Sequence, residues 1–332
     1  MNESDNSVPA ALGDDVSIGN LTVRYGDTTA LRGAHLRIPA GTTTALVGES
    51  GSGKSTLALA ASRLLPADAQ IVSGSVRVGD TDLAALSGPR LREARGGVAA
   101  YLAQDASVAL NPVLRVGSQI AEVHQVRHGV SRREAARLAE NNLADVGIPD
   151  PARVARRYPH QLSGGMRQRA VIAIALAFRP RLLIADEPTT ALDVTVQADI
   201  LALIVRLQKQ CGLTVLWITH DMSVVAEIAD RVAVMYGGRI VEQADALELF
   251  ESPAHPYTQA LLGCFRQGRT AQPKHIVTAI KGSPPVGGVP DGCPFHPRCP
   301  HADDSHCRTT LPEPRVLGGG RQAACHHLEF AP

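Results

Sequence analysis

Gly48-Glu49-Ser50-Gly51-Ser52-Gly53-Lys54-Ser55 has the G-x-x-x-x-G-K-S spacing of a phosphate-binding loop, and its flanks decide the fold. Thr43-Thr44-Ala45-Leu46-Val47 is apolar enough for a buried strand, and Thr56-Leu57-Ala58-Leu59-Ala60-Ala61 reads as a helix. A strand-to-helix turn of this kind presents successive backbone N–H groups to a phosphate at the positive end of the helix. On that reading Gly48, Ser50, Gly51, Ser52, Gly53 and Thr56 form the cradle. Lys54 reaches the β- and γ-phosphates, and the Ser55 hydroxyl is offered to Mg²⁺. A flexible Gly/Ser turn without function would need neither flank.

Upstream, Val16 to Tyr25 and Leu31 to Ile38 alternate as strands, with Gly26-Asp27 and Pro39-Ala40-Gly41 as turn chemistry. Tyr25 closes the first strand, where an aromatic suits a nucleotide base or simply a half-buried edge. Downstream, Gly74 to Val78 and Val98 to Leu102 are short strands, and Gln104 follows the second directly. From Leu110 to His160 the character turns helical: Val116 to His128 is one helix, and Ser131-Arg132-Arg133-Glu134 opens another with S-x-x-E capping-box spacing. This reads as a helical insertion with its own small core. Ser163-Gly164-Gly165 then leads into the apolar helix Ala170 to Phe178, making a second candidate anion site.

Arg181 to Ala185 is a buried strand ending in Asp186-Glu187, at the strand tip where open α/β sheets place ligands. Thr195 to Gln210 is an amphipathic helix closed by Gly212. Thr214 to Thr219 is another buried strand, ending at His220-Asp221, and Arg231 to Glu242 is a hairpin over Gly237-Gly238. Beyond Glu251 the composition shifts to Pro, Gly, His and Cys, so the alternating core is expected to end near Gly263 with a separate appendage after it.

Bulk composition narrows the function. A net charge of +1 and 3% aromatic residues argue against a nucleic-acid binder, which needs basic excess and stacking surface. Residues 1–15 are polar and acidic and lack the pattern of a secretion signal, and the longest apolar run, Ala170 to Phe178, is too short to span a bilayer. A cytoplasmic protein attached to membrane only through partners is expected. Cys293, Cys299, Cys307 and Cys325 cluster with spacing C-x5-C-x7-C-x17-C. In a reducing compartment that favours a metal over disulfides, with zinc and an iron–sulfur cluster both open.

Together these pieces resemble the ATP-binding subunits of ABC transporters. The loop at Gly48 to Ser55, Gln104, Leu162 to Gln168, Asp186-Glu187, Ala191-Leu192-Asp193 and His220 stand in that family's order and spacing over about two hundred residues. The closer resemblance is to importers of oligopeptides, dipeptides and nickel. It rests on Leu162 to Arg169, Ala185 to Gln197, His255-Pro256-Tyr257-Thr258 and Cys293-Pro294-Phe295-His296-Pro297-Arg298-Cys299-Pro300. Ala106, where proline is common, departs from the pattern.

The resemblance implies an α/β, ABC-type P-loop ATPase domain (16–263) after a polar tail (1–15). The domain has an antiparallel β subdomain and a helical subdomain (about 110–165), and a small Cys-rich C-terminal extension (264–332) follows. It implies ATP and Mg²⁺ as ligands. Ser55, Asp186 and Gln104 serve the metal, Glu187 is the general base, His220 is the γ-phosphate switch, and Tyr25 is the adenine-stacking aromatic. Ser163, Gly164 and Gly165 are a signature that covers the nucleotide of an opposing subunit, so the pocket is completed in a head-to-tail dimer. For the four cysteines it implies a 4Fe-4S cluster in preference to zinc. The implied partners are two transmembrane permease subunits, a second ATPase subunit and an extracytoplasmic solute-binding protein, at the cytoplasmic face of the membrane. Peptides are the implied solute, with nickel or another small solute as the alternative. A soluble, non-transport ABC ATPase would call for a paired cassette or a long insertion within it, and the sequence has neither.

Overall fold

The computed structural model describes residues 13–190, 192–269, 280–283, 290–303 and 305–328. Ala191 and most of the polar segment before Val16 lie outside them. Among the described residues twelve strands run in chain order: β1 (Val16–Tyr25), β2 (Thr28–Ile38), β3 (Thr43–Val47), β4 (Ala69–Val78), β5 (Thr81–Asp82), β6 (Ala99–Leu102), β7 (Leu182–Asp186), β8 (Thr214–Ile218), β9 (Arg231–Tyr236), β10 (Arg239–Asp245), β11 (Arg315–Gly318) and β12 (Arg321–Ala323).

They form two sheets. The antiparallel one has the order β2-β1-β4-β5, and the larger one β11-β12-β10-β9-β3-β8-β7-β6. In the larger sheet β9, β3, β8, β7 and β6 run parallel. Every residue of β3, β7 and β8 is buried, which is why each reads as a continuous apolar run. The β1 strand packs one face only, with Val16, Ile18, Leu21 and Val23 inward and a register shift between Ile18 and Leu21.

Two helix predictions are refined. The helix foreseen at Ala170 to Phe178 begins at Gly164, so the Ser-Gly-Gly stretch is its cap and first turn. Ser131 caps Arg132–Asp145 through Glu134 N at 3.3 Å, but the Glu134 carboxylate turns to Arg137 (2.6 and 3.1 Å) and does not complete a capping box.

The helical insertion does not have a core of its own. Ile120, Ala135, Leu143 and Val154 belong to the same buried cluster as Ala185, Val215 and Trp217 of the large sheet, joined by Ala170 and Ile172 of helix Gly164–Ala177. The insertion is therefore packed continuously with β7 and β8.

The C-terminal segment also differs from the separate appendage expected. β12 pairs with β10 (Glu242↔Ala323, Gln243↔Gln322), and β11 pairs with β12, so the chain's end extends the main sheet. Cys293 and Phe295 lie in one buried cluster with Val47, Val234, Tyr236 and Tyr257. The Phe295 ring centroid is 5.3 Å from both tyrosine rings.

A buried ion pair ties the strands together. Glu242, fully buried, accepts from Arg321 Nη2 at 3.2 Å and from the backbone N–H groups of Ala254 and His255 at 2.8 Å each. A carboxylate with three donors is the arrangement in which burying a charge is tolerated. His255 sits next to it, and burial pushes its imidazole down to about 3. The neutral ring accepts from Tyr257 N through Nδ1 at 3.0 Å. His255-Pro256-Tyr257-Thr258 thus has an architectural meaning: it joins helix Pro256–Arg269 to β10 and, through Tyr257, to the phosphate loop.

Candidate nucleotide site

The loop lies between β3 and helix Lys54–Ala61. Its glycines answer to close approach. A Cβ on Gly48 would lie 2.2 Å from the Met235 carbonyl oxygen. One on Gly53, at φ +107°, would lie 3.0 Å from a Leu31 methyl and 3.1 Å from the Ala30 carbonyl. The loop is pressed onto β2 and β9, and only glycine permits the curl. Lys54 is buried, and its Nζ donates to the carbonyls of Gly48 (2.8 Å) and Glu49 (2.9 Å). Burial lowers its pKa, opposed by the charges of Glu187, Asp186 and Glu49.

Three acidic or polar groups converge from neighbouring strand ends. Asp186, at the tip of β7, accepts a hydrogen bond from the Ser55 side chain and one from the Tyr101 hydroxyl at 3.0 Å. Burial raises its pKa, and those two hydrogen bonds oppose the rise. The Tyr101 hydroxyl is pushed well above the phenol range by burial, then by the Asp186 charge, so it remains a donor. Glu187 has a left-handed backbone (φ 47°), which costs a non-glycine residue of order 1 kcal/mol or more. It is held there by its own N–H to Ile218 O (3.0 Å). Its carboxylate meets His220 Nδ1 through Oε1 at 3.0 Å and Thr190 Oγ1 through Oε2 at 3.1 Å.

Lys54, Ser55, Asp186, Glu187 and His220 are thus brought into one locus at the C-terminal ends of β3, β7 and β8. Gln104 stands exposed two residues beyond β6, next to β7. Tyr25 is half-buried against the antiparallel sheet's core. Ser163, Gly164 and Gly165 lie elsewhere. Ser163 is exposed and caps helix Gly164–Ala177 through Met166 N (3.3 Å), while Gly165 abuts Val196 and Gly164 faces Leu192. Sequence reading passed over Tyr101, Glu49, Tyr236 and Arg298. Of these, Glu49 carried a signal as an acid inside a phosphate loop, and Arg298 stood within the Cys293–Pro300 stretch of the family resemblance, with no role attached.

The locus fits a nucleoside triphosphate with a divalent ion. The Ser52 hydroxyl is buried without a partner, the glycine cradle excludes side chains, and a hydroxyl and a carboxylate meet at Ser55–Asp186, hard oxygen donors of the kind Mg²⁺ takes.

At the four cysteines, Cys293, Cys307 and Cys325 are buried and Cys299 half-buried, and none is in a disulfide. Burial and the proximity of Cys325, Cys307 and Cys299 push the Cys293 thiol up to about 12. Among the described residues, the set of three ligating groups whose atoms lie within 4.8 Å of one another is Asp303, Cys307 and His327, not a set of cysteines. Asp303 is already engaged, accepting from the backbone of His306 (2.7 Å) and Cys307 (3.0 Å) and from His327 Nε2 (2.8 Å). Those bonds hold its carboxyl far below the usual range.

Fold and locus together define a P-loop ATPase built on a mixed sheet. Two family models match the chain: "ABC transporter" over residues 31–190 and "Oligopeptide/dipeptide transporter, C-terminal region" over residues 241–307. The chain is 42% identical over 317 residues to the dipeptide transport ATP-binding protein DppD of Escherichia coli, covering 94% of this chain and 96% of that one. It is 48% identical over 306 residues to the oligopeptide transport ATP-binding protein OppD of Mycobacterium tuberculosis, covering 91% of this chain and 49% of that longer one. A dimeric post-hydrolysis structure of the ATP-binding cassette MJ0796, bound to ADP and Pi, aligns with TM-score 0.61 at 28% identity, covering 70% of this chain and 98% of that one. The chain belongs to the ABC transporter family of ATP-binding proteins, in its oligopeptide/dipeptide branch, a family of ATP-hydrolysing enzymes.

Proposed function

We propose that the chain hydrolyses ATP to energise peptide import, as a peripheral subunit on the cytoplasmic face of a membrane. The observation that carries the mechanism is a division within the chain. Lys54, Ser55, Asp186, Glu187 and His220 are assembled, whereas the Ser163-Gly164-Gly165 helix start is exposed and packed on Leu192 and Val196. A second ATPase subunit, set head to tail, would lay its own signature over this loop.

In that frame each residue has one task. The loop amides, Ser50 to Thr56, bind phosphate oxygens, and Lys54 reaches the β- and γ-phosphates. Ser55, Asp186 and Gln104 would hold Mg²⁺. The ion, when bound, neutralises charge on the phosphoryl group being transferred. Glu187 takes a proton from the attacking water, and His220, bonded to its Oε1, keeps that carboxylate in line. Tyr25 stacks on the base. ATP closes the pair because the closed form binds it more tightly, and hydrolysis reopens it.

Among the described residues no helix is long and apolar enough to cross a membrane. Two permease subunits and an extracytoplasmic solute-binding protein complete the proposed complex. Residues 16–263 are assigned to the ATPase and about 110–165 to the permease-facing helices. Residues 264–332 are assigned to an extension in which Cys293, Cys299, Cys307 and Cys325 hold a 4Fe-4S cluster. Four thiolates at irregular spacing in the sequence are the support for this reading, with zinc as the alternative.

Anaerobic purification of the native membrane complex tests the reading. Two permease chains, a second ATPase, iron and sulfide in equal amounts, and ATP-dependent peptide uptake by vesicles are expected. Colourless, iron-free protein would remove the cluster, and uptake indifferent to ATP would remove the transport role.

A further inference from the structure

The cysteine-bearing segment reaches the phosphate loop itself. Arg298, one residue before Cys299, has only 5% of its side chain exposed, and it forks onto the Glu49 carboxylate. Its Nη1 donates to Oε2 at 2.5 Å and its Nη2 to Oε1 at 3.0 Å. The guanidinium is fixed from its other side by the Tyr236 hydroxyl (3.2 Å) and the carbonyls of Lys281 (2.9 Å) and Ile280 (3.4 Å).

Glu49 is anchored at two further points. Its N–H donates to the Tyr257 hydroxyl at 2.9 Å, and its carbonyl accepts from Lys54 Nζ at 2.9 Å. The second residue of the loop is therefore pinned through amide, carbonyl and side chain. The adjoining Ser50-Gly51-Ser52-Gly53 run has little intrinsic preference for one conformation.

We propose that Arg298 is a positioning residue of the ATP site: by its bidentate grip on Glu49 it fixes the first turn of the phosphate loop and neutralises an acid beside the polyphosphate. The C-terminal segment thereby sets nucleotide affinity. The inference rests on the nucleotide reading of the loop and is independent of which metal, if any, the four cysteines take. A planar, two-pronged donor is required because a carboxylate held at both oxygens cannot swing toward the phosphates, which a lysine's single point charge would allow.

Three variants of the full chain decide it: Arg298→Gln, Arg298→Lys and the double Glu49→Gln/Arg298→Gln. Each is read by equilibrium binding of a fluorescent ATP analogue with Mg²⁺, alongside thermal melting and iron content. Arg298→Gln is expected to raise Kd about tenfold, a misplacement effect, and to raise KM more than it lowers kcat. Arg298→Lys should recover only part of this loss. The double variant should bind no worse than Arg298→Gln, because the unpaired carboxylate is gone. Unchanged Kd in a folded Arg298→Gln protein would overturn the proposal, as would additive losses in the double variant. If Arg298→Gln fails to fold, Glu49→Gln alone carries the test, since it cuts the same grip from the loop side: a raised Kd supports the proposal and an unchanged one overturns it. Failure of the wild-type chain to bind any nucleotide would instead refute the ATP-site reading beneath it.

Discussion

Replacing Glu187 by Gln is expected to slow ATP turnover by about 100- to 10,000-fold while nucleotide remains bound. The amide keeps the size of the carboxylate and can still pair with Thr190 and His220, which hydrogen-bond Glu187. What it loses is the capacity to take a proton. The left-handed backbone at residue 187 is set by the Ile218 and Thr190 backbone contacts and does not depend on the carboxylate charge, so the fold should be retained. Turnover per site and retained ATP after rapid filtration check the expectation. Normal turnover would mean that another group activates water.

Lys54→Ala should raise the Kd for Mg-ATP by about 100-fold or more, the scale expected when a charge-assisted donor to phosphate is removed. Its Nζ closes the loop onto the Gly48 and Glu49 carbonyls and is the cation that faces Asp186 and Glu187. Without it, the Gly48 carbonyl loses this donor, the Glu49 carbonyl keeps only Ser52 N, and two acids lose this counter-charge, so phosphate would approach a more negative field. Isothermal titration shows the loss, and circular dichroism separates it from unfolding. Affinity within threefold of wild type would contradict the assigned role.

These residues were legible in the sequence for a physical reason. A loop whose glycines touch Met235, Ala30 and Leu31 tolerates few spacings, and strands buried on both faces, such as Leu182–Asp186, print as apolar runs with their acids at the tip. The Tyr101–Asp186 bond was invisible because it joins strands 85 positions apart, and the Arg298–Glu49 pair because it spans 249. The last two strands were hidden by their composition. Arg315–Gly318 is exposed throughout, and Gly318-Gly319-Gly320 reads as a loop, yet the Glu242–Arg321 pair docks that hairpin on the sheet. Likewise, the insertion's periodicity showed helices but not what they pack against. Their shared core with Trp217 depends on a third helix, Gly164–Ala177, that runs between them and the sheet.

On the proposed mechanism the pocket is half a site, completed by a partner's signature. Ser163→Arg in this chain, compared with Lys54→Ala, tests it most directly, with Mg-ATP affinity measured on the isolated chain and ATP-driven closure measured by inter-subunit cross-linking in the assembled complex. Ser163→Arg should leave the isolated chain's Kd within about threefold of wild type, as an exposed helix cap that makes no contact with Lys54, Asp186, Glu187 or His220 should, and abolish closure in the complex. A loss of isolated-chain affinity as large as that of Lys54→Ala, or closure that proceeds normally, would contradict it.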